Sequence, residues 1–285
     1  MSATITTDRI ELPGGPLAIH RAGDAGPPLL LLHGAMLDTA RLLWRNVIPA
    51  LSDAFQVVAP DWPRHGGSRP WYGFLDQAAL ASCVDAVLEH CRFERAAIAG
   101  LSLGGGVAAG YAAARPDRVS RLVLINPGGM EGRRAWQRTT WLTMRTPGML
   151  RLLTRLYPPA RVRAGLARAL PAGERAPDFD AIVALAEREL RAKREHGELL
   201  LDDWQIASYG WSRMRIDHRP LLPRIACPTL LVHGLEDRLV PRASLVEAAR
   251  LLRDARLVDV EGAGHALPLD RPERLHEEIR AFVAA

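Results

Sequence analysis

From residue 29 onward the chain alternates between apolar runs of strand length and longer stretches with helical periodicity. That rhythm limits the fold more than any other feature. Residues 29–32 (Leu-Leu-Leu-Leu) precede a helical pattern near 40–51, and residues 55–59 precede a helix within 74–91. Residues 96–99 run directly into a helix from 103 to about 114, and a further strand at 119–125 stops at Asn126-Pro127-Gly128-Gly129. Short, continuously apolar strands separated by helices predict βαβ units, because crossover helices cover both faces of a parallel sheet and leave no polar side. Ahead of them, 5–12 and 17–21 are predicted as two strands around the turn Pro13-Gly14-Gly15. The rhythm stops across 130–218, where helical segments are broken by Pro147-Gly148, Pro158-Pro159, Pro171 and Pro177. It resumes with a strand at 229–232, a helix around 244–252, a strand at 256–260 and a closing helix over 272–283. The fold class expected is α/β: a mostly parallel central sheet with helices on both faces and a helical cap inserted after the sixth strand. Residues 1–129 and 219–285 form the core on this reading, and 130–218 the insertion.

Composition removes several function classes. The 285 residues are 48% hydrophobic and 24% charged, which suits a packed core and argues against disorder. No apolar run approaches the ~18 residues that span a bilayer. Met1-Ser2-Ala3-Thr4 has no basic patch followed by a long apolar stretch, so no signal peptide is expected. A cytoplasmic location without a membrane partner follows as the expectation. Cys83, Cys91 and Cys227 lack metal-ligand spacing; as the first two lie on one helix they sit too far apart to pair, and buried free thiols are expected. The net charge is +5, and 128–218 alone holds 16 Arg and Lys against 11 Asp and Glu, so this stretch carries the whole excess. Its arginines are dispersed among Leu, Ala and Pro, which predicts a solvated or anion-friendly surface and no nucleic-acid groove.

One segment carries chemistry by its placement. Gly100-Leu101-Ser102-Leu103-Gly104 lies between a strand and a helix, the setting in which a sharp bend presents a serine hydroxyl above a sheet. Serine is a poor nucleophile without a base within hydrogen-bond reach. His265, in Gly262-Ala263-Gly264-His265 after the last strand, is placed at the same carboxyl edge, where open α/β sheets bind ligands. His33, His65 and His233 also follow strands and remain rivals. Asp237, after the seventh strand, is placed to orient the histidine, with neighbouring Glu236 as its rival.

These segments resemble the α/β-hydrolase fold family. His33-Gly34 is similar to that family's oxyanion loop, Asp61 to Ser68 (DWPRHGGS) to its D-x-x-G-x-G-x-S stretch, and Gly100 to Gly105, Gly234 to Asp237 and Gly264-His265 to its nucleophile, acid and base segments. The resemblance implies a triad of Ser102, Asp237 and His265, an oxyanion hole from the backbone N–H groups of Ala35 and Leu103, and no cofactor or metal. Arg64 departs from the pattern, standing where the family usually has the first glycine of its G-x-G. Ser at the elbow, where haloalkane dehalogenases and epoxide hydrolases of this fold use Asp, implies acyl transfer to water or C–C cleavage next to a carbonyl. The simplest function is serine hydrolysis of a carboxylic ester. A C–C bond hydrolase, lactonase, acyltransferase or lyase, or a ligand-binding receptor without chemistry, are the alternatives.

In relatives such an insertion caps the active site. Trp136, Trp141, Trp204 and Trp211 lie in it, with Met144, Met149 and Met214. Trp136, Trp141, Trp211 and Met144, with Trp62 and Trp71 from the core side, are candidates to line a pocket for a hydrophobic or aromatic small molecule. The plainer reading is that the cap aromatics only pack its helices together. Arg133, Arg134 and Arg138 are either solvated or set to attract a substrate carboxylate.

Overall fold

The structure, a computed structural model, describes residues 4–285; the first three residues, read above for a leader, lie outside the described residues. Eight strands form one sheet: β1 (Thr6–Leu12), β2 (Gly15–Ala22), β3 (Pro28–Leu32), β4 (Gln56–Pro60), β5 (Ala96–Leu101), β6 (Val119–Ile125), β7 (Thr229–Gly234) and β8 (Ala255–Val260). Their spatial order is β1-β2-β4-β3-β5-β6-β7-β8. The β1–β2 and β2–β4 pairings are antiparallel and all others parallel. The hairpin over Pro13-Gly14 thus adds an antiparallel edge to a parallel sheet.

The alternation of side chains along each strand feeds two cores. Leu30 and Leu32 of β3 pack with Val84, Val87, Val107 and Tyr111 on one face, while Leu29 and Leu31 pack with Leu43, Trp44, Ile48 and Ile279 on the other. All four leucines are at most 1% exposed. Each is worth about 1.5–3 kcal/mol of burial, and a strand that serves two cores must be apolar at every position.

Between β6 and β7 the chain is helical, with principal helices Gln137–Arg145, Met149–Leu156, Pro159–Ala169, Phe179–Glu195 and Asp203–Ser208. This cap is tied to the core by polar contacts. Arg69, after β4, binds Glu189 and, at 3.0 Å, Glu198. Arg64 Nη1 donates to Asp203 Oδ2 at 2.8 Å. Trp204 packs its ring on Gly106 and Gly128, where a Cβ would meet it at 2.8–3.1 Å, and its indole N–H donates to Gln77 Oε1 at 2.8 Å. Of the described helices, none is long and apolar enough to cross a membrane. Cys83, Cys91 and Cys227 are buried and free.

Candidate active site

Ser102 sits between β5 and the helix Leu103–Ala114 at φ 52°, ψ −113°. The bend depends on bare backbone: a Cβ on Gly100 would meet Gly104 O at 2.4 Å, and one on Gly104 would meet Leu32 O at 2.3 Å. Only glycine lets the elbow close on itself and on the end of β3. Ser102 N–H donates to Ile125 O at 3.1 Å, and its carbonyl accepts from Gly106 and Gly128. Both the elbow backbone and its helix are therefore fixed to the end of β6. Leu103 N–H opens that helix, and neither it nor Ala35 N–H has an acceptor among the described residues.

His265 Nδ1–H donates to Asp237 Oδ2 at 2.8 Å, which leaves Nε2 as an acceptor. The side chain of Asp237 is fully buried, and its Oδ1 accepts from the N–H groups of Leu239 (2.6 Å) and Val240 (3.1 Å). Burial alone would push this carboxyl up, but the His265 hydrogen bond and charge, with the two backbone donors, hold it below its usual range. Glu236, the rival acid, turns away and accepts from Gly262 N–H at 3.0 Å.

The rival histidines are engaged elsewhere. His33 is fully buried, its Nδ1–H donating to Gly34 O and its Nε2 accepting from Trp62 N–H, and burial pushes its pKa down to about 3. His233 Nδ1–H donates to Asn126 Oδ1 at 3.0 Å. His65 lies against Lys193 and Asp202.

Three polar residues at this edge were not anticipated as parts of the site. Asn126, marked in the sequence only as the point where the strand at 119–125 stops, is a staple. Its amide donates to Gly264 O at 3.1 Å and His265 O at 3.0 Å, while its Oδ1 accepts from Gly234 N–H and His233. The histidine loop is thereby fastened to the strand whose end also fixes Ser102. Asp202, in the cap, accepts from Met36 N–H at 2.7 Å with one oxygen and from Lys193 at 3.3 Å with the other. Met36 follows Ala35 in the loop after β3 and is held at φ 67°. Asp38, on the same loop, is half-buried within electrostatic reach of His265. Desolvation pushes its carboxyl up to about 6, against the pull of His265 and His65.

The aromatic candidates divide. Trp62 is 1% exposed and its indole N–H donates to His33 O at 2.9 Å, so it braces the end of β3 and lines no open space. Trp71 packs on Gly14 of the β1–β2 turn. Trp136 is 82% exposed. Trp141 and Trp211 meet edge to face at 5.3 Å, with Arg145 and Arg138 over their rings. Met144 is half-buried on the helix Gln137–Arg145. Arg133 lines a polar cleft of about 700 Å³ with Glu131, Arg213, Asp217 and Arg219, a cleft that neither Ser102 nor His265 borders. Arg134 pairs with Glu131.

A model of the alpha/beta hydrolase fold family matches residues 27–272. The chain belongs to that family. Among curated proteins it is 30% identical over 98% of its length to polyketide synthase ThaQ of Burkholderia thailandensis, and it spans 13% of that protein's length. Among solved structures it resembles a bacterial membrane phospholipase A (26% identity, TM-score 0.79, covering 98% of this chain and 86% of that one). It also resembles the 2-hydroxy-6-oxo-6-phenylhexa-2,4-dienoate hydrolase of Rhodococcus sp. strain RHA1 (21% identity, TM-score 0.81, covering 99% and 100%), a likeness of fold.

Proposed function

We propose that this α/β hydrolase is a serine hydrolase that cleaves a carboxylic ester through Ser102, His265 and Asp237. The observation that carries the proposal is the 2.8 Å bond from His265 to a fully buried Asp237, on a loop that Asn126 fastens beside the strained serine elbow. Ser102 Oγ has no hydrogen-bond partner among the described residues, which leaves its hydroxyl free to give up its proton in the proposed reaction. On attack, His265 Nε2 takes the serine proton as Oγ bonds the carbonyl carbon. Asp237 stabilises the imidazolium and fixes the tautomer that leaves Nε2 free. The N–H groups of Ala35 and Leu103 hold the oxyanion, each donor being worth about 3–4 kcal/mol in the transition state. His265 then protonates the departing alcohol, and water releases the acyl group by the same steps in reverse.

In a test on p-nitrophenyl esters, Ser102→Ala should lower kcat at least about 10⁴-fold at unchanged melting temperature. Ester turnover that survives in a folded Ser102→Ala protein would remove Ser102 from its role.

A further inference from the structure

Large apolar side chains exposed on this protein are unevenly placed. All of those among the described residues lie in the cap or in the loops that leave β4 and β7, on the side of the sheet that carries Ser102. Five fall within one short stretch of the cap: Trp136 (82% exposed), Leu142 (51%), Leu152 (50%), Leu153 (48%) and Leu156 (65%). The helix Met149–Leu156 is attached to the cap through Thr154, whose hydroxyl accepts from Leu200 N–H and whose carbonyl accepts from Arg194. Its opposite face is left to solvent.

The charge of this stretch is equally one-sided. No Asp or Glu occurs between Glu131 and Glu174, while nine arginines do. Arg138, Arg145, Arg151 and Arg155 are exposed and, among the described residues, pair with no carboxylate. Leucine and tryptophan interleaved with unpaired arginine at exposed positions of two adjoining helices and the residue before them suit a boundary where acyl tails meet anionic headgroups. A second copy of this chain would set like charges against each other. A nucleic acid would satisfy the arginines and leave the leucines in water.

We propose that the outer face of the helices Gln137–Arg145 and Met149–Leu156 is a docking site for an anionic lipid surface, seating the active-site side of the molecule on the bilayer. The expectation of no membrane partner rested on the lack of a spanning segment, and a peripheral contact needs none. The proposal is independent of the triad, because binding is measured without turnover.

The test is co-sedimentation of the full chain, wild type and Ser102→Ala, with vesicles of phosphatidylcholine alone and with roughly a third phosphatidylglycerol. Both proteins should be retained by the anionic vesicles and not by the neutral ones, less so as salt rises. Arg151→Gln/Arg155→Gln and Leu152→Ser/Leu156→Ser should each weaken retention about tenfold or more, whereas Arg224→Gln/Arg250→Gln, equal in charge but on the core, should change it by less than about twofold. The four substituted cap positions are exposed, so melting temperatures should match wild type. No retention on anionic vesicles at low salt would overturn the proposal, as would an equal loss on removing the core arginines. Failure of Ser102 as nucleophile would leave these results unchanged.

Discussion

Asn126 shows how much one side chain carries at this site. Its four hydrogen bonds reach the backbone or ring of residues 107 to 139 positions away and join the ends of β6 and β7 to the loop of His265. Asn126→Ala should cost about 2–4 kcal/mol in urea unfolding, because it strands buried donors and acceptors. It should also lower kcat more than it raises KM, since the loosened group is the proposed base and not a proposed substrate contact. Unaltered kcat in this variant would deny the staple its role. Arg64 makes a different point. It replaces a family glycine yet keeps the glycine's backbone, at φ 64°, while its guanidinium reaches Asp203 in the cap and Gly73 O. The loop shape survives at about 1 kcal/mol of backbone strain, and the side chain gains a contact that glycine lacks. Ser102, Asp237 and His265 could be proposed from the sequence because each lies within a few residues of a glycine and of the end of a strand. Asn126, Asp38 and Asp202 could not, since nothing local announces a hydrogen bond across the fold.

Among the elements, strand positions followed the apolar runs to within two or three residues; for the central strands the reason is that a strand buried on both faces has no polar position to blur its ends. The helical pattern near 40–51 resolved instead into Ala40–Leu43 and Val47–Leu51, interrupted where Trp44 ends the first turn. The antiparallel β2–β4 pairing was silent in sequence, as strand order depends on contacts between segments and not within them. The cap's links to the core were equally silent. Lys193, 1% exposed, and Asp202 form a buried pair over the loop after β3. Desolvation makes such a pair a poor source of stability, so its use is to fix the register of cap and loop. In the neutral background Lys193→Met, Asp202→Asn keeps an acceptor for Met36 N–H and Asp202→Leu does not. The Leu double variant should lose about 30-fold in kcat relative to the Asn one, with KM within about threefold. Equal kcat values in the two folded proteins would leave Asp202 a structural residue only.

Across the whole molecule, buried titratable groups set opposing pH limits. Asp270, which accepts from Gly264 N–H at 2.8 Å next to His265, is pushed up from 3.8 to about 7 by burial. Its folded form holds a proton that the unfolded chain releases, so stability falls as pH rises from about 4 to about 7. His33 acts at the acid end: with its pKa down at about 3, the folded chain refuses a proton that the unfolded chain takes below 6.5, and stability falls with acid. Asp270→Asn keeps an acceptor and removes the charge. It should stabilise the protein by about 2 kcal/mol at pH 8 and not at pH 4, read from urea unfolding at both values. A pH-independent difference would place the effect in packing.

The account turns on a single activated hydroxyl among the serines of this chain. Labelling the wild-type protein with a fluorophosphonate and mapping the adduct by peptide mass spectrometry tests it most directly. The prediction is one adduct, on Ser102, formed far more slowly once His265 is replaced by alanine; an unlabelled Ser102, or a label on another serine, would contradict it.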